Sequence, residues 1–138
     1  MRTAVVFFSS KNRDKLRNIA GELAKGIEER GYHVDLIDAN HDVNTKLTIY
    51  NYIALGTESL TPFGGKISNS IGEYLANSGI VSGKRSFAFI LGSGLRTVKT
   101  LSALMKAMEH EGMYLKYSEI IKSEEYAREL GRQLHIDT

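Results

Sequence analysis

Two hydrophobic periods take turns along this chain. Ala4 to Phe8, with Thr3 ahead of it, is an apolar run of β-branched and aromatic residues and predicts a strand buried on both faces. After a polar loop, Leu16, Ile19, Ala20, Leu23, Ala24 and Ile27 recur at helical spacing up to Gly31, a natural helix stop. Tyr32 to Asp38 alternates in the manner of an outer strand, and Ala39 to Thr48 is polar, a loop or one helical turn. Ile49 to Gly56 reads as a third strand. Ile67, Ile71, Tyr74 and Leu75 mark a second helix ending near Gly79, and Ser86 to Leu91 a very apolar fourth strand. Val98, Leu101, Leu104, Met105 and Met108 define a third helix ending at Gly112. Met113 to Ile121 is a fifth strand, and Tyr126, Ala127, Leu130 and Leu134 give a closing helix.

Strands that alternate with helices pair in parallel through right-handed crossovers, which places helices on both faces of one sheet. The predicted architecture is a doubly wound α/β sandwich, with the apolar first, third and fourth strands at its centre. Ligands in such sheets sit beyond the carboxyl ends of the strands. That rule selects three loops, Ser9–Lys15, Thr57–Lys66 and Gly92–Thr97.

The first loop runs from a buried strand into a helix amino terminus, whose unpaired N–H groups and partial positive charge suit a phosphate. Ser9 and Ser10 offer hydroxyls, Lys11, Arg13 and Lys15 offer charge; alternatively Asn12 or Asp14 simply caps the helix. The second loop holds Thr57, Glu58, Ser59, Leu60, Phe63 and Gly64 and is longer than a strand-to-helix connection needs. Phe63 could meet a flat ligand beside Gly64-Gly65 or fold back onto the next helix. In the third loop Gly92, Ser93, Gly94 and Leu95 leave backbone amides bare for a ligand edge, or form a tight turn capped by Ser93 or Thr97. Lys66, Arg96 and Lys99 add to a local cationic excess, against which Asp14 and Glu58 are the nearby acids.

Composition narrows the remaining classes. The 138 residues are 42% hydrophobic and 25% charged, which excludes wholesale disorder and suits one domain. No run reaches the roughly 18 apolar residues of a membrane span, and the start of the chain has no signal-peptide pattern, so a cytoplasmic protein is expected. There is no cysteine, and the four histidines are scattered without metal-ligand spacing, so surface positions are expected for them. A net charge of +2 without a basic aromatic stripe gives no case for nucleic acid. The dinucleotide fingerprint, the P-loop lysine motif and the serine elbow are absent, and Gly56-Thr57 stands where a phospho-acceptor receiver needs aspartate.

Val5-Val6-Phe7-Phe8-Ser9-Ser10 with Ile19 to Gly26, Asn51 to Thr57, and Gly83 to Phe89 followed by Gly92-Ser93-Gly94 resemble a short-chain flavodoxin or flavodoxin-like domain over essentially the whole chain. The resemblance implies a three-layer sandwich with a five-stranded parallel sheet in the order 2-1-3-4-5. It also implies noncovalent FMN that changes oxidation state to carry electrons to a redox partner protein, a carrier rather than an enzyme with its own substrate. The phosphate would lie against Ser9 to Lys15, and the ring between Thr57–Phe63 and Gly92–Leu95. The chain departs from the family in lacking the Thr-Gly-x-Thr loop. Leu60 stands where a ring-stacking aromatic is expected, with Phe63 nearby, and the third loop has no aromatic. The alternative is a flavin-free module that binds another small anion or acts through protein contacts. Tyr114, Tyr117 and Tyr126 could supply such contacts, although burial against the sheet is the expected use of these rings. No nucleic acid or membrane partner is expected, and the oligomeric state is left open.

Overall fold

The computed structural model describes residues 1–60, 66–92 and 97–137. Its elements run β1 (Arg2–Phe8), α1 (Arg13–Glu28), β2 (His33–Asp38), β3 (Tyr52–Thr57), α2 (Ser70–Ala76), β4 (Arg85–Leu91), α3 (Thr97–His110), β5 (Tyr114–Ile121) and α4 (Glu124–Gln133). The sheet is parallel throughout in the order β2-β1-β3-β4-β5, as the alternation and the resemblance predict.

Strand composition accounts for this order. All six residues of β3 are buried, and β1 and β4 are buried along nearly their whole length, so these strands have helices on both sides. β2 and β5 mix exposed and buried positions and form the two edges. One core lies under α1 and α4 and contains Val5, Phe7, Leu16, Ile19, Leu23, Ile27, Phe87, Phe89 and Leu130. The other lies under α2 and α3 and contains Val6, Ile53, Leu55, Ile71, Leu75, Ile90, Leu104 and Met108. Successive strand residues point to opposite faces, so each central strand serves both cores.

Gly56 is required by packing, because a Cβ there would lie 2.1 Å from the Phe89 ring. Gly31, Gly79 and Gly112, chosen as helix stops from sequence, all have positive φ (92°, 84° and 82°), which glycine adopts without steric cost.

Several expectations are corrected. Ile49 and Tyr50 precede β3, and Ile67 precedes α2. Val98 is 70% exposed at the start of α3, so the apolar stripe of that helix begins later, with Leu101 and Leu104. Tyr114, Tyr117 and Tyr126 are exposed at the β5 edge and on α4 rather than buried against the sheet. A register shift opposite Ser86 and Phe87 pairs Phe87 with Tyr117, and the two rings stack at 5.6 Å with Tyr117 as the outer one. The histidines are exposed as expected. No described helix is long and apolar enough to cross a membrane.

Candidate functional site

The parallel register brings the carboxyl ends of the central strands level, with Phe8 beside Thr57 and Thr57 beside Ile90. The loops that leave these ends share one rim. Thr57 fixes its base by donating from Oγ1 to the Phe8 carbonyl at 2.5 Å.

Immediately beyond it the chain curls around a single carboxylate. Glu58 Oε1 accepts from the Ser9 hydroxyl at 2.9 Å and from the backbone N–H groups of Ser10 at 2.6 Å, Lys11 at 2.6 Å and Asn12 at 3.0 Å. The Asn12 N–H also reaches Oε2 at 3.0 Å. Successive N–H groups aimed at one point form an anion nest at the start of α1. Glu58 is only 1% exposed, although it lies in a polar loop. Hydrogen bonds to a charged group contribute about 1.5–3 kcal/mol each, so this set offsets the desolvation of a buried carboxylate.

The rim has a further set of ties. Asn40 accepts the Ser9 N–H at 2.8 Å and donates from Nδ2 to the Ser9 carbonyl at 3.0 Å, joining the loop after β2 to the loop after β1. Arg13 is ion-paired to Asp38 and lies over the Phe7 ring. Burial tends to raise the Asp38 pKa, but bonds from His41, Arg13 and the Asn40 backbone outweigh it and hold the carboxyl below its ordinary value. In the second loop Ser59 Oγ lies 3.1 Å from Thr100 Oγ1 on α3, and the Leu60 N–H donates to the Lys66 carbonyl at 2.8 Å.

The first loop forms a cradle for the Glu58 carboxylate, and its donors are mainly backbone amides. Ser9 contributes its hydroxyl. Ser10, Lys11 and Asn12 contribute N–H groups, and Asn12 makes no side-chain cap. Arg13 is engaged by Asp38, while Asp14 and Lys15 are exposed on the first turn of α1. Glu58, expected at the ligand's edge, sits in the ligand's place. Leu60 is 44% exposed, and Gly92 packs so closely on Lys122 and Ile120 that a Cβ would lie 2.6 Å from the Lys122 side chain. Phe63, Gly64, Ser93, Gly94 and Leu95 lie outside the described residues. Asp38 and Asn40 were missed. Asp38 ends β2, the strand adjacent to β1, and Asn40 follows it, so the rule that carboxyl ends share a rim could have brought them into consideration.

A hollow of 220 Å³ lies outside the cradle, bounded by Ser9, Ser10, Lys11, Arg13, Asn40 and His41. A larger cavity of 510 Å³, lined by Tyr52, Tyr117, Leu130 and Leu134, lies towards the opposite edge, where β3 and β5 begin. The described residues contain no acidic or histidine cluster suited to a metal ion.

FMN, implied by the resemblance, ends in a phosphate that needs an oxygen site of the kind this loop builds. With Glu58 seated that site is filled, and an incoming dianion would face a carboxylate. The residues present do not fit the phosphate in this arrangement.

No protein-family model matches the chain, and no curated protein matches it in sequence. Solved structures do. A short-chain flavodoxin associated with a non-canonical PDU bacterial microcompartment superposes with a TM-score of 0.70 over 97% of both chains at 13% identity. Oxidised flavodoxin 1 from Bacillus cereus gives 0.67 over 95% of this chain and 92% of its own, at 18% identity. Two-electron reduced Megasphaera elsdenii flavodoxin gives 0.67 over 93% and 96%, at 17% identity. Strand order, layer arrangement and end-to-end superposition agree: the chain has the flavodoxin-like fold.

Proposed function

We propose that this chain is a flavodoxin-like redox module that takes the ring of a flavin at its carboxyl rim and exchanges electrons with a protein partner in the cytoplasm. The observation that carries the reading is the match over 97% of both chains to a short-chain flavodoxin. Proteins of this shape are described in oxidised and in two-electron reduced form. The redox chemistry would belong to the flavin, and the chain would supply position and field. Its own part is to hold the rim still, through Thr57 on Phe8, Asn40 on Ser9 and Ser59 beside Thr100.

A second reading is favoured by a specific observation. Glu58 already satisfies the anion cradle, as it would in a flavin-free module that acts through protein contacts or another small anion.

The test begins with the visible spectrum of the purified protein. Titrations with riboflavin and with FMN then follow flavin fluorescence. Flavin absorption bands, or quenching by either form at roughly tens of micromolar, supports the redox reading. A colourless protein that quenches neither form removes it in favour of the second reading.

A further inference from the structure

The Glu58 carboxylate is held from two directions. On its own loop, Thr57 is fixed through Oγ1 to the Phe8 carbonyl, Ser59 Oγ lies beside Thr100, and the Leu60 N–H is bound to the Lys66 carbonyl. These ties flank Glu58 in sequence, so the side chain cannot leave the cradle by a simple swing of its segment. From the other side, the Ser9 hydroxyl and the N–H groups of Ser10, Lys11 and Asn12 converge on Oε1 at 2.6–3.0 Å. One carboxylate oxygen with this many donors has no capacity for another, and each donor is spent. Arg13 is paired with Asp38, and Lys11 takes part through its backbone.

We infer that Glu58 is a phosphate surrogate built into the chain, and that the rim therefore selects a flavin whose tail carries no phosphate over FMN. The inference rests on the redox reading for its ligand, while the self-filled cradle stands on the hydrogen bonds alone. A neutral ribityl tail can approach the loop with Glu58 seated. A phosphorylated tail must either expel a carboxylate that is 1% exposed or remain outside the cradle as a like charge.

The experiment compares the wild type with Glu58→Ala and Glu58→Ser. Flavin binding is read by fluorescence titration with riboflavin and FMN. Cradle occupancy is read by the thermal midpoint in inorganic phosphate against chloride at matched ionic strength. The wild type should bind riboflavin at least tenfold more tightly than FMN, and Glu58→Ala should reverse the order. Inorganic phosphate should raise the midpoint of Glu58→Ala, whose empty cradle can bind it, and leave the wild type unmoved. If Glu58→Ala does not fold, Glu58→Ser carries the same measurements, because its short side chain cannot reach the N–H groups of Ser10, Lys11 and Asn12 and so leaves the cradle empty.

Tighter binding of FMN than of riboflavin by the wild type overturns the inference and leaves the redox reading standing. If no variant binds either flavin, the redox reading falls and the phosphate arm decides the cradle. Stabilisation confined to the Glu58 variants upholds self-occupancy, and equal response or none in every protein overturns it.

Discussion

Because the donors to Glu58 come from separate residues, each can be removed singly. The Ser9 hydroxyl is the simplest, since Ser9→Ala deletes one donor at 2.9 Å and leaves the backbone N–H groups in place. Ser9 is half-buried, so the loss should fall at the low end for a bond to a charged group, about 1.5 kcal/mol. Urea denaturation should show this as a lower midpoint with unchanged slope, whereas a change below about 0.3 kcal/mol would mean that water replaces the hydroxyl without loss. This residue-level detail was only half legible in the sequence. Hydroxyls, amides and lysines before a helix suggested a phosphate, whereas in the structure Ser9 to Asn12 hold the chain's own Glu58 carboxylate. That the anion is Glu58 depends on Phe8 and Thr57 lying side by side in the register, a long-range fact that local spacing does not contain.

Between elements, α1 and α4 approach each other closely. A Cβ on Gly26 would lie 2.2 Å from the Arg128 carbonyl, and one on Gly131 would lie 2.4 Å from the Leu23 carbonyl, so the helix backbones meet where side chains are missing. An ion network closes the outer edge of this seam. Glu29, just past α1, takes Arg132 Nε at 2.5 Å and is also paired with Arg128, which reaches Glu22 at 3.2 Å. Bonds from Arg132 and then Arg128 lower the Glu29 pKa from 4.5 to about 2. A carboxylate depressed on folding adds stability that is fully present above its unfolded pKa and is lost as the pH falls through the folded value. The difference in thermal midpoint between wild type and Glu29→Gln should therefore be constant above pH 4.5 and shrink between pH 4.5 and about 2. The network is exposed, so the difference should also fall with added salt. A gap independent of both pH and salt would assign the loss to packing rather than charge. The amphipathic stripes of α1 and α4 were plain in the sequence, and the two glycines were not, because a glycine within a helical pattern carries no sign of which neighbour it admits.

Across the whole molecule, the two cores share the same strands. Phe89 is fully buried against α1 and α4, and its ring occupies the space left by Gly56, while its neighbours Ala88 and Ile90 face the opposite core. Helices on either face therefore cannot lose their packing without disturbing residues that support the other. This mutual dependence follows from the alternation of strand side chains, and it was legible in advance because apolar runs at Thr3–Phe8, Ile49–Gly56 and Ser86–Leu91 predicted strands covered on both sides. The burial of Val98 and of the edge tyrosines was misjudged because exposure there depends on where a strand or helix ends, which periodicity places only to within a few residues. Phe89→Ala should cost about 3–5 kcal/mol, a large share of the roughly 5–15 kcal/mol that holds a domain folded. Far-UV circular dichroism should follow helices on both faces during urea denaturation. Tyrosine fluorescence should follow Tyr52 on one side and Tyr74 on the other. If the shared strands couple the layers, the two signals coincide in wild type and move together to lower urea in Phe89→Ala. Separate transitions, with one layer melting before the other, would show that the strands divide the molecule instead of joining it.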